Sequence, residues 1–197
     1  MPPSGTIRLP ALRGVTNPAT ALRFVRTRFE GVWLVEPKPH SDERGVFART
    51  WCAREFAARG LETEIAQAST SFNRKAGTLR GMHFQRAPHA EAKLVRCTRG
   101  AIYDVIIDLR PQSPTFRRWV AVDISAENHL MVYVPEGFAH GFQTLQDETE
   151  VSYYISEFYS PERARGVRWN DPAFAIGWPI ADPVISVRDQ THPEFIA

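Results

Sequence analysis

Apolar, β-branched and aromatic residues recur along this chain in short runs, broken at intervals by glycine, proline and asparagine. Runs rich in Val, Ile, Phe, Tyr and Thr favour a pleated, half-buried backbone. They predict strands over residues 31–36, 64–72, 78–84, 92–98, 101–109, 119–124, 131–134, 141–145 and 150–155. Arg99-Gly100, between two of these runs, reads as a hairpin turn. Residues 102–109 are apolar on both faces apart from Asp104 and Asp108, as in a strand enclosed in a sandwich or barrel. Helical patterning is scarce: residues 52–58, closed by Gly60, and one turn after Asp171-Pro172. Many short strands with little helix predict a jelly roll or similar barrel, a fold able to enclose one small-ligand cavity.

The first 25 residues, rich in Pro, Gly, Thr and Arg, read as a flexible N-terminal arm. Residues 26–197 read as one domain, with no linker and no repeat. A length of 197 residues suits a single core. The formal net charge of +2 offers no electrostatic case for nucleic acid or a membrane surface. No apolar run is long enough to span a bilayer, and no signal-peptide pattern precedes the domain. Cys52 and Cys97 form no CxxC pair and read as reduced thiols of a cytoplasmic protein.

Four patches place polar groups where strand interiors should be apolar. In Arg80-Gly81-Met82-His83-Phe84-Gln85, strict alternation sets Arg80, Met82 and Phe84 on one face and His83 and Gln85 on the other. Lys93, inside an apolar run, either reaches the surface along its stem or needs an anionic partner in a cavity. Residues 134–142 carry the PxGxxH spacing of Pro135, Gly137 and His140, which resembles the second motif of cupins. Gly77 and His83 fit the first cupin motif, but Gln85 stands where its second histidine belongs. That leaves His83, His140 and Glu91 as donors for a metal, a poor set for zinc, iron or manganese, so the pocket reads as metal-free. Residues 148–159 add Tyr153, Tyr154 and Tyr159, which alone would be packing.

Taken together, these segments resemble the dTDP-4-dehydrorhamnose 3,5-epimerase family from about Phe29 to Asp189. The resemblance rests on Asp42-Glu43-Arg44-Gly45-Val46-Phe47, LRGMHFQ at 79–85, KLVR at 93–96, DVIIDLR at 104–110 and SPTF at 113–116. It continues through PEGFAHGF at 135–142, WNDP at 169–172 and Ser186-Val187-Arg188-Asp189. It implies an all-β fold, a cupin-type jelly-roll β-barrel with a few short helices, assembled as a homodimer without metal or other cofactor. The implied substrate is a dTDP-linked 4-keto-6-deoxy sugar. By position, His83 matches the family's catalytic base, Asp189 the carboxylate that orients it, Lys93 the cation beside the ketone oxygen and Tyr153 the opposing proton donor. Arg44, Gln67, Arg80 and His140 match substrate contacts, and Tyr159 the ring that stacks on thymine.

These roles are chemically coherent. A C–H beside a ketone is acidic because its charge moves to oxygen, and a preorganised ammonium stabilises that enolate. Imidazole accepts protons near neutrality, and a carboxylate on its other nitrogen fixes the tautomer. Inversion then needs a second proton donor on the opposite face. The chain departs from the family pattern at Arg49, at Ser69 in place of Asn, at Ala164 in place of Glu and at Arg188 in place of Lys. Ser69 and Arg188 are counted here among the substrate contacts. Two other readings compete: a metal cupin built on His83, His140 and Glu91, and a non-catalytic binder of sugar nucleotides.

Overall fold

The structure, a computed structural model, describes residues 5–7 and 21–195. Two sheets face each other. The first runs β1 (Gly5–Ile7), β10 (Trp119–Ser125), β9 (Ala101–Asp108), β12 (Phe138–Thr144), β7 (Thr78–Gln85) and β14 (Ala164–Gly166), with β15 (Val184–Ile185) also against β7. The second runs β2 (Leu22–Arg26), β3 (Trp33–Pro37), β11 (Met131–Val134), β8 (Lys93–Arg99), β13 (Thr149–Ile155) and β6 (Gln67–Asn73). A separate hairpin pairs β4 (His40–Asp42) with β5 (Gly45–Phe47). From β6 to β9 the chain changes sheet at every strand, which is jelly-roll topology; no ladder among the described residues closes the two sheets into a barrel.

Every expected strand is present, with ends shifted by a few residues. Residues 22–25, expected in the N-terminal arm, belong to β2, and Leu22 is buried. Gly5–Ile7 adds a parallel edge strand to β10; the rest of the expected arm lies outside the described residues. Arg99-Gly100 is not a hairpin turn. Gly100 does turn the chain, but β8 and β9 lie in different sheets, so it links the two layers.

The core has three layers. Between the sheets, Ile102, Ile106, Val122, Phe138 and Phe142 meet Val95, Cys97, Val132 and Val151. Burial lifts the Cys97 thiol to about 11, which keeps it protonated and inert. Outside the second sheet, α1 (Ala53–Ala57) lays Phe56 on Leu22, Leu94 and Tyr133. Its Glu55 accepts the backbone N–H groups of Ala21 and Leu22 and so fastens β2. Outside the first sheet, Met82, Tyr103, Val105 and Trp119 are covered by Val167, Phe174 and Trp178.

The loop motifs act as fasteners. The buried Asp108 accepts from Arg110, Ser113 and Thr115. Asp171 accepts the N–H groups of Ala173 and Phe195 in the expected helical turn, where Phe174 and Ala175 donate to its carbonyl. No helix among the described residues is long and apolar enough to cross a membrane.

Candidate active site

Strands β6 and β7 are at the same end of the two sheets, and a cavity of about 330 Å³ opens between them. On the second sheet three rungs line up: Gln67–Ile155–Lys93, Ser69–Tyr153–Val95 and Ser71–Val151–Cys97. Val95, Cys97 and Val151 belong to the inner core, so this face looks inward. On the first sheet His83 pairs with His140 and Arg80 with Phe142. Two residues separate His83 from Arg80, but only one separates His140 from Phe142, so β7 carries a bulge at Gly81-Met82.

The bulge corrects the expected alternation. It turns Arg80 and His83 to the same inner side and leaves Met82 and Phe84 packed on the outer cluster. Gly81 makes it possible: at φ +142°, a Cβ there would lie 2.6 Å from the Gly141 Cα. A glycine inside a strand pattern was the available signal.

His83 Nε2 lies 2.8 Å from Asp189 Oδ1. Asp189 sits on α2 (Val187–Gln190), where the Ser186 hydroxyl caps its N–H at 3.1 Å, and its Oδ2 accepts the Gly81 N–H at 3.2 Å. Burial works to raise the Asp189 carboxyl, but the His83 hydrogen bond and charge, Gly81 N–H and His192 outweigh it. The carboxyl is held below its ordinary value and stays ionised at neutral pH.

Across the cavity Lys93 points inward. Its Nζ meets the anionic partner required for a buried cation, Glu91 Oε1, at 2.8 Å. Tyr153 is the next inward residue along β13, and its hydroxyl meets Ser71 Oγ at 3.4 Å. Burial, the largest influence, pushes the phenol well above its ordinary value, so it remains a proton carrier throughout the working range.

Gln67, Ser69, His83, Lys93, Tyr159 and Arg188 all line the cavity, as does Arg165, which the sequence pattern did not single out. Arg80 lies one bulge further along β7, where its Nε donates to Asn73 Oδ1 at 2.7 Å. Gln85 spans the gap that a second cupin histidine would fill. It donates to the carbonyls of His89 and Phe158 and accepts the Ser160 N–H, while Gln67 accepts the Tyr159 N–H, so two glutamines hold the segment that presents Tyr159.

Besides Arg80, two expected contacts are not among the residues lining this cavity. His140 is buried behind the cavity wall, 2.7 Å from Asp104 Oδ1, with its ring edge-on to Tyr153 at 6.4 Å. Burial raises the Asp104 carboxyl, partly offset by His140 and Lys93. Sequence reasoning noted Asp104 only as a polar exception in a strand. Arg44, 85% exposed, pairs with Asp42 at 2.5 Å in the β4–β5 hairpin and does not reach this cavity within the chain.

The metal set of His83, His140 and Glu91 is not assembled: His140 is engaged by Asp104 and Glu91 by Lys93. Among the described residues the group whose donor atoms converge, within 4.8 Å, is His83, Asp189 and His192. A cation there would have to displace the His83–Asp189 hydrogen bond.

The arrangement sets a carboxylate-oriented imidazole and an ammonium group on one cavity, with the high-pKa Tyr153 phenol buried beside it and not among its lining residues, a set suited to moving protons beside a carbonyl. Known proteins share this sequence and this fold. Residues 26–196 match the family dTDP-4-dehydrorhamnose 3,5-epimerase. A dTDP-4-dehydrorhamnose 3,5-epimerase from Shigella flexneri is 42% identical over 176 residues, 89% of this chain and 97% of that one. The Bacillus anthracis str. Ames dTDP-4-dehydrorhamnose 3,5-epimerase, solved with TDP and PPi bound, superposes with a TM-score of 0.87 at 42% identity, covering 89% of this chain and all of that one. A 3'-monoepimerase from Streptomyces bikiniensis in complex with dTDP-quinovose gives 0.80 at 36%, with 85% of each chain covered. On fold and sequence together, the chain belongs to the dTDP-4-dehydrorhamnose 3,5-epimerase family of isomerases.

Proposed function

We propose that this protein epimerises a dTDP-linked 4-keto-6-deoxyhexose at C3, through an enolate, on the route to a deoxysugar. The observation that carries the reading is His83, hydrogen-bonded to an ionised, buried Asp189 on the wall of a cavity that also receives Lys93. In this reading neutral His83 takes the proton from C3 and Asp189 stabilises the imidazolium that forms. Lys93 holds the negative charge on the C4 oxygen. Tyr153 returns a proton from the other face. Arg188 and Arg165, on the cavity wall, suit the diphosphate because a guanidinium forks onto phosphate oxygens. Tyr159, exposed and held by Gln67, suits stacking on a base.

C5 flanks the same ketone and has the same acidity. An NMR time course in deuterated water with dTDP-4-keto-6-deoxyglucose therefore counts the carbons that turn over. Exchange at C3 with inversion supports the reading; no exchange at either carbon rejects it.

The same reading includes a cytoplasmic homodimer. The β4–β5 hairpin exposes Phe47 to 75% and Val46 to 59%, an apolar tip that a second copy would cover. A second copy is also what would bring Arg44 to a cavity. Two free cysteines, one of them buried and inert, fit a reducing compartment.

A further inference from the structure

His192 lies outside every motif that carries the family resemblance, yet its ring stands directly behind the proposed base. Its Nε2 is 3.5 Å from Asp189 Oδ1, the same oxygen that meets His83. Its ring is edge-on to the His83 ring, with centroids 5.7 Å apart and planes at 78°. The Nε2 atom is buried with no hydrogen-bond partner. The slot that holds the ring exists because residue 166 has no side chain. A Cβ on Gly166 would fall 2.2 Å from His192 Nε2 and 2.4 Å from both neighbouring ring carbons. Gly166 is the direct cross-strand partner of His83 in the β14–β7 ladder, so the slot sits beside the base itself.

We propose that His192 is a positioning residue of the epimerase site, seating the Asp189 carboxylate against His83 and closing its far side to water. The proposal rests on the function given above. The contacts of His192 run to Asp189 and to the His83 ring, so it acts through Asp189 and not on the sugar. In the tautomer with hydrogen on Nε2, the ring directs an N–H at Oδ1. This opposes rotation of the carboxylate away from His83 while protons move.

The ionisable groups facing His192 are His83 on β7 and Asp189 and Arg188 on α2. Burial, then the charge of His83, depress its basicity, so the ring is neutral at pH 7. At lower pH a charged His192 draws on the carboxylate that orients His83, so its protonation adds to the acid limb of the rate profile.

The test is the C3 exchange and inversion rate of the full chain, with kcat and KM measured across pH for the parent, His192→Ala and His192→Gln. Loss of the ring in His192→Ala lowers kcat by about 10- to 100-fold with KM unchanged. Glutamine, which keeps an N–H donor but does not titrate, restores much of kcat and leaves an acid limb with a single protonation. Parental kcat in both variants, a loss confined to KM, or a two-proton acid limb retained in His192→Gln overturns the proposal. A parent enzyme with no exchange would instead reject the proposed function.

Discussion

Arg80 and His83, three positions apart on β7, turn to the same inner side of the sheet because the strand bulges between them. The bulge depends on Gly81, whose φ of +142° and 2.6 Å clearance from the Gly141 Cα leave no room for a methyl group. Gly81→Ala should cost about 1–3 kcal/mol of stability, from strain and overpacking. It should also slow turnover by moving His83. Chemical denaturation gives the first quantity and the exchange assay the second; an unchanged unfolding midpoint would show that the close approach relaxes freely.

His83→Ala removes the proposed base and leaves the far cavity residues in place. C3 deuterium incorporation should fall by about 10²–10⁴-fold, while dTDP binding, followed by calorimetry, stays close to parental. Retained exchange would transfer the base role to another group.

Tyr153→Phe keeps the ring but deletes the hydroxyl that meets Ser71. Wash-in of deuterium at C3 should continue, because His83 still removes and returns its proton. Net inversion should stop. The product is read by NMR coupling constants, and inversion at the parental rate would exclude the phenol as donor.

Lys93→Met removes the cation and strands Glu91 in a largely buried setting. The single variant should lose about 10²–10³-fold in kcat and about 1–3 kcal/mol of stability. The double variant Lys93→Met with Glu91→Gln should regain stability but not rate. Equal recovery of both would make the pair a purely structural one.

The Asp189 carboxyl, held below its ordinary value by the fold, adds stability that is fully present above the unfolded value of about 3.9. That contribution disappears as pH falls through the lower folded value. The parent should therefore be the more stable protein at pH 6, and its thermal midpoint should converge on that of Asp189→Asn as pH drops below about 4. Midpoint curves that stay parallel from pH 7 to pH 2 would contradict this.

Much of this was legible in the sequence because a strand buried on both faces leaves a short continuous apolar run. The runs at 101–109 and 131–134 are strands for that reason, and Lys93 stood out as a cation inside one. Three kinds of feature left no such trace. β2 and the β4–β5 hairpin are short and half polar, and their pairing depends on partners elsewhere in the chain. The bulge at Gly81 resets the period, so alternation put Arg80 on the wrong face. Asp104, His192 and Arg165 acquire meaning only from what the fold sets beside them: His140, Asp189 and the cavity. His140 was found but its neighbours were not, since a histidine near a strand start reads the same whatever the fold sets beside it, here Asp104 and Tyr153.

The amide of Gln85 stands where the cupin pattern puts its second histidine, and both its ends are spoken for by the segment that presents Tyr159. Gln85→His would offer a donor to an ion only by letting go of that segment. One side chain cannot both ligate a metal and hold Tyr159 in place.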